Sequence, residues 1–250
     1  MPGYKPFFGA VPDEEPKPQF TLLNSERVVA TVSSLRARIS ERFPESGLLQ
    51  VCLELEKVCQ RSRVRIEWIG KPIWTLRILR YSLIVLIVLG LFVSITGLLK
   101  EGLSEDLGFV DWVQTLEAGI NDIVLISLAV FFVWNLEARV KRRRAMRALH
   151  ELRSIAHVID MHQLTKDPDR IMRKWIKTSS SPQIEMSSFD LRRYLDYCSE
   201  MLSLVSKVAA LHLQSLEDGT VVAAVNEIEE LTTGLSRKIW QKIDILRATE

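Results

Sequence analysis

The chain has 250 residues, of which 26% are charged, yet its formal net charge at pH 7 is only +2. Two apolar runs make up about a sixth of the chain, which excludes a protein that is mostly embedded in a membrane. The three cysteines lack a CxxC spacing and so indicate neither a disulfide framework nor a zinc knuckle. Reduced and partly buried thiols are expected instead.

Residues 1–23 are rich in proline and charge, and we expect a flexible tail without the apolar stretch of a signal peptide. Residues 24–73 are predicted to form a cytoplasmic helical segment. Its first helix is capped by Asn24 or Ser25 and stops at Pro44, and its second helix begins after Ser46. Charged and apolar residues alternate over 61–69, which favours an extended connector there.

Residues 74–138 are predicted to form a transmembrane hairpin. The run 81–99 contains no charged residue, and as a helix it would span roughly 28 Å, close to the hydrocarbon thickness of a bilayer. A second run covers 118–136, and the intervening loop, 100–117, is acidic. Basic residues precede the first run and follow the second, at the ends of the hairpin away from the acidic loop. The positive-inside rule therefore places both termini in the cytoplasm. The expected location is the inner (plasma) membrane, with the chain crossing it more than once.

Residues 139–250 are predicted to form a cytoplasmic helical domain. Because no cap, glycine or proline interrupts 134–162, the second membrane helix is expected to continue directly into this domain. A short helix is expected to follow Asp167 and Pro168, which suit the N-cap and the first helical position.

A longer helix is predicted to start at Ser187, which forms a weak capping box with Asp190. Its apolar residues follow a heptad spacing, as in a coiled coil, and a second apolar stripe lies beside the first. The helix should therefore contact more than one neighbour. Asp218 and Gly219 are expected to stop it, and the short connection to the last helix predicts an antiparallel hairpin in a helical bundle.

The strongest local signal after the apolar runs is a basic cluster of six cations within nine residues, where the second membrane helix leaves the bilayer. Such a cluster attracts anionic lipid head groups, although the positive-inside rule alone also requires one. The head-group candidates are Arg139, Lys141, Arg142, Arg143, Arg144 and Arg147.

Small and polar residues inside the two runs suggest further roles. Gly90, Ser94 and Gly97 share one helix face, where another helix can approach closely. Asn121 and Asp122 form a possible polar site near the outer end of the second run, either as a helix cap or as an ion or proton site shared by several subunits. Four tryptophans are expected to anchor the ends of the membrane helices: Trp68, Trp74, Trp112 and Trp134.

Catalytic and metal-binding motifs are not recognised in the sequence. His150 and His157 share a helix face, but roughly 10 Å of helix separates them, too far for joint ligation of one zinc ion. No HExxH, GxSxG, P-loop or dinucleotide-binding fingerprint occurs. We therefore predict no catalytic residue, no metal, no cofactor and no enzymatic activity.

The predicted fold is an all-α membrane protein: a two-helix transmembrane hairpin with a cytoplasmic helical N-terminal segment and a C-terminal helical bundle. The leading functional hypothesis is a membrane-tethered helical scaffold or regulatory subunit. Its expected partners are the anionic lipid bilayer, copies of itself in a homo-oligomer and another helical protein, without nucleic acid. The alternatives are a small oligomeric channel or transporter-like pore subunit, for which the runs offer few polar residues, and a lipid-acting enzyme without a recognisable motif.

Overall fold

The computed structural model describes residues 22–101, 109–168, 179 and 186–248. Within these ranges the regular structure is helical and contains no strand, which confirms the all-α prediction. Most of the predicted tail and most of the short helix expected after Asp167 lie outside the described residues. The helices are α1 (Ser25–Arg42), α2 (Gly47–Gly70), α3 (Trp74–Glu101), α4 (Phe109–Leu164), α5 (Ser188–Leu213) and α6 (Gly219–Arg247).

Side-chain caps fix where α1, α2 and α5 begin. The Asn24 side chain accepts hydrogen bonds from the backbone N–H groups of Glu26 and Arg27, at 2.8 and 3.2 Å. The hydroxyls of Ser46 and Ser187 cap α2 and α5 in the same way. These bonds satisfy N–H groups that the first helical turn leaves without a partner. The three predicted helix starts are confirmed.

The predicted extended connector over 61–69 is wrong, because these residues continue α2 without a break to Gly70. Cys59, Ser62 and Ile69 of α2 are buried, and Ile66 between them is half-buried. These four positions follow one another at helical spacing. Ser62 is 1% exposed and occupies a core position that a purely apolar pattern does not reveal. The alternation of charged and apolar residues therefore concealed a helical stripe.

Two helices are long and apolar enough to cross a membrane. The most apolar stretch of each of these helices has no residue buried within the chain. Helix α4 starts at Phe109, so the predicted loop over 100–117 is too long: α3 extends to Glu101, and the segment 109–117 is helical. With 56 residues, α4 is about 84 Å long at 1.5 Å per residue, and its continuation beyond the apolar run is confirmed.

The second half of α4 lies in the core of a bundle with α1, α2, α5 and α6. Leu149, Leu152 and Ile159 of α4 are each at most 2% exposed. Both predicted stripes of α5 are buried as far as His212, because α6, α4, α1 and α2 all pack against this helix. The second stripe is thus covered within one chain and does not by itself require another subunit.

The connection between α5 and α6 differs from the prediction in one respect. Helix α5 ends at Leu213, before the expected stop, and Asp218 instead begins the next helix. Its carboxylate accepts hydrogen bonds from the backbone N–H groups of Thr220 and Val221, at 3.0 and 3.4 Å. Asp218 is therefore an N-cap, which is the commoner role of an aspartate at a helix boundary.

Candidate functional site

The basic cluster lies where α4 passes from its exposed apolar half into the bundle. At the same level, the start of α3 is held against α4, since the backbone N–H of Ile73 donates a hydrogen bond to Glu137 Oε1 at 3.3 Å. Lys141 Nζ lies 3.1 Å from Glu137 Oε1, and Arg77 Nε lies 3.7 Å from Glu137 Oε2. One carboxylate thus joins both apolar helices at the end nearest the bundle.

Arg142 is also used within the chain. Its Nε and Nη2 atoms lie 2.7 and 2.6 Å from Asp218 Oδ2, while the other carboxylate oxygen of Asp218 caps α6. The hydrogen bond from Arg142, together with those from the backbone of α6, lowers the pKa of the Asp218 carboxyl below its usual value. This pair attaches the base of α6 to the segment of α4 that follows its apolar half.

The remaining cations of the cluster are exposed. The Arg139 guanidinium lies over the Phe132 ring, 5.5 Å from its centroid. Arg143, Arg144 and Arg147 make no ion pair within the described residues. The structure thus divides the six predicted head-group candidates into two that are engaged by carboxylates of the chain and four that face outward.

Arg144 and Arg147 line a cleft of about 420 Å³ between α2 and α4. Arg65 lies in the same cleft, where its Nη1 atom is 3.0 Å from Glu151 Oε1. Among the described residues, the lining of the cleft therefore contains three arginines and a single carboxylate. We refer to it as the α2–α4 cleft; its lining is Val64, Arg65, Trp68, Ile69, Arg144, Arg147 and Glu151.

The cleft also has an exposed apolar part. The Trp68 side chain is 64% exposed and Val64 is 56% exposed, beside the arginines of α4. The sequence marked Trp68 as an interfacial anchor but did not connect it with Arg144 and Arg147. Counting Ser62 as a core position would have extended the predicted helix over 61–69. Arg65 and Trp68 would then have been placed on the same helix.

Other predicted site residues are less informative. A methyl group added at Gly90 would meet no atom within 4 Å, so no other helix in the described part of the chain packs on that position. Asn121 is exposed. The surroundings of the Ser94 and Asp122 side chains and of Gly97 lie outside the described part of the structure.

The histidines and cysteines are dispersed. His150 and His157 are exposed, and His162 lies against Gly47, where an added Cβ would come within 2.5 Å of the imidazole. Over the described ranges, no three histidine, cysteine or acidic side chains come together in a group that could hold a metal ion. Cys52, Cys59 and Cys198 are buried free thiols, as predicted, and burial raises the pKa of each to about 12.

Comparison of the chain with protein-family models, curated proteins and solved structures finds no match. The functional argument therefore depends on the chemistry and placement of the residues described above.

Proposed function

We propose that this protein is a membrane-tethered helical scaffold or regulatory subunit. In this proposal α3 and the first half of α4 span the inner (plasma) membrane, and the bundle binds copies of the chain or another helical protein on the cytoplasmic side. The observation that carries the proposal is the continuity of α4, a single 56-residue helix. Its first half exposes apolar side chains, and its second half is part of the bundle core.

The exposed apolar surface supports membrane insertion. Leu86 of α3 is 66% exposed and Phe131 of α4 is 64% exposed, and most of the large apolar side chains that the structure describes between them in sequence are exposed to a similar extent. Soluble monomeric proteins rarely expose a continuous apolar surface larger than a few hundred Å². A bilayer would cover this surface without any further protein, since both helices are long enough to cross it.

Rigid attachment of the bundle supports a scaffold role. Helix α4 has no break between its apolar half and the core, and two carboxylates reinforce the junction: Glu137 holds α3 and α4, and Asp218 holds α4 and α6. A partner bound to the bundle would therefore be kept at a defined distance from the membrane. Tilting of the hairpin would also be transmitted directly to the bundle.

Topology is the first test. A cysteine introduced at Gly108, which lies outside the described residues, is expected to react with an impermeant maleimide in intact cells. A cysteine at the exposed Ser154 of α4 should react only after the membrane is permeabilised. The native thiols give little background, because they are buried and their pKa is raised to about 12. Labelling at position 154 but not at 108 in intact cells would overturn the proposed orientation.

Assembly is the second test. In a mild detergent, the full chain is expected to have a protein mass above the 28.6 kDa of one copy, or to retain a helical partner. If copies associate through α3, Gly90→Leu should lower that mass, because the larger side chain prevents close approach of helices. The matched variant Gly119→Leu places the same side chain on α4, at another open position, and should leave the mass unchanged. A wild-type monomer without a retained protein would contradict the scaffold function.

A further inference from the structure

We propose that the α2–α4 cleft binds the phosphate head group of an anionic phospholipid in the leaflet nearest the bundle. This inference rests on the proposed membrane insertion and identifies a ligand class for one defined site. It differs from general attraction between a basic cluster and a membrane, because it assigns binding to particular arginines and excludes others that are also exposed.

Charge in the cleft is complementary to a phosphate. Arg144 and Arg147 make no ion pair within the described ranges, whereas Arg65 is held by Glu151 at 3.0 Å. The single carboxylate therefore leaves the positive charge of two arginines unbalanced. Guanidinium groups offer several N–H donors in one plane, which matches the oxygen atoms of a phosphate better than an ammonium group does.

The position of the cleft along α4 suits a lipid head group. Arg144 follows Leu136, the last residue of the apolar run, by about 12 Å of helix at 1.5 Å per residue. The polar layer of a bilayer extends about 5–8 Å beyond the hydrocarbon on each side, and a long arginine side chain can bend back towards it. Arg144 can therefore reach a lipid phosphate while its backbone remains in the bundle.

The apolar wall distinguishes a lipid from free phosphate. Trp68 and Val64 are exposed at the side of the cleft that belongs to α2, only a few residues before α3 begins. Tryptophan is enriched at the level of lipid head groups because its ring is apolar and its N–H is polar. An inorganic phosphate would make no use of this surface, whereas the glycerol and upper acyl chain of a phospholipid would cover it.

The test uses the full chain in mild detergent, titrated with phosphatidic acid and measured by native mass spectrometry. The double variant Arg144→Gln/Arg147→Gln is expected to bind phosphatidic acid about thirtyfold more weakly than wild type, the combined effect of two arginines near an anionic surface. Its matched control, Arg139→Gln/Arg143→Gln, removes the same charge from the same helix outside the cleft and should bind nearly as wild type does. Equal weakening in both double variants would overturn the assignment, because it indicates diffuse attraction.

Two further measurements distinguish a bound phospholipid from a bound free anion. Trp68→Ala leaves the charge unchanged and should weaken phosphatidic acid binding but not the binding of inorganic phosphate. If inorganic phosphate alone binds the wild type as tightly as phosphatidic acid does, the ligand is a free anion and the lipid assignment is wrong. Since these side chains are largely exposed, an unchanged far-ultraviolet circular dichroism spectrum, which reports helix content, is expected for every variant. Failed lipid binding with the expected labelling at Gly108 would refute this inference alone, whereas reversed labelling would refute the proposed orientation.

Discussion

Replacement of Leu152 by alanine is expected to lower the free energy of unfolding of the bundle by about 2–5 kcal/mol. Leu152 is 0% exposed and lies in the half of α4 that packs with the other bundle helices. Removing its branched end leaves a cavity that the close-packed neighbours cannot fill completely. The measurement is denaturant-induced unfolding of the full chain in mild detergent, followed by near-ultraviolet circular dichroism.

The same helix provides the control for this experiment. Leu164→Ala is the identical chemical change at the last residue of α4, where the side chain is 61% exposed. Its effect should remain within about 0.5 kcal/mol, as for most surface substitutions. If the two variants had equal stability, α4 would not be part of the bundle core. The mechanical link between hairpin and bundle would then lose its main support.

The second large effect concerns pH and the buried His212. Burial, and to a smaller extent the positive charge of Arg65, lowers the pKa of His212 to about 4 from its ordinary value of 6.5. Within the described residues neither ring nitrogen has a hydrogen-bond partner, so the folded chain holds a neutral imidazole. In the unfolded chain this imidazole takes up a proton below about pH 6.5. In the folded chain it takes up a proton only near pH 4.

Stability is therefore expected to fall as the pH drops from about 6.5 to about 4, because the unfolded state binds more protons over this window. The lowered pKa of His212 corresponds to a loss of about 3 kcal/mol in the free energy of unfolding at the lower end of this pH window. His212→Leu removes the titrating group and should flatten this part of the curve. Denaturant unfolding across the pH series measures the effect in wild type and variant.

His157 supplies the comparison for the pH experiment. It is exposed on α4, so His157→Leu should keep the wild-type slope. Parallel curves for wild type and His212→Leu would show that burial of this imidazole does not destabilise the folded state in acid. Carboxylates that titrate in the same range contribute equally to all three proteins, so the difference between curves isolates His212.

Local chemistry predicted much of the helical organisation. Asn24, Ser46 and Ser187 each carry a short polar side chain that reaches the first free N–H groups of its own helix, so their roles depend only on nearby residues. The uninterrupted course of α4 was also predictable, since neither glycine nor proline breaks it where it enters the bundle. The helix over 61–69 was missed because Ser62, although polar, occupies a buried position.

The candidate site could not be derived from the sequence, because its members come from distant parts of the chain. The sequence determined that six cations occur together after the second apolar run, but their individual roles depend on partners that folding supplies. Asp218 engages Arg142 from 76 residues away, and α2 brings Arg65 and Trp68 beside Arg144. Helical spacing alone pairs Lys141 with Glu137, four residues earlier, whereas only long-range packing pairs Arg142 with Asp218 and leaves Arg144 and Arg147 without a carboxylate partner within the described residues.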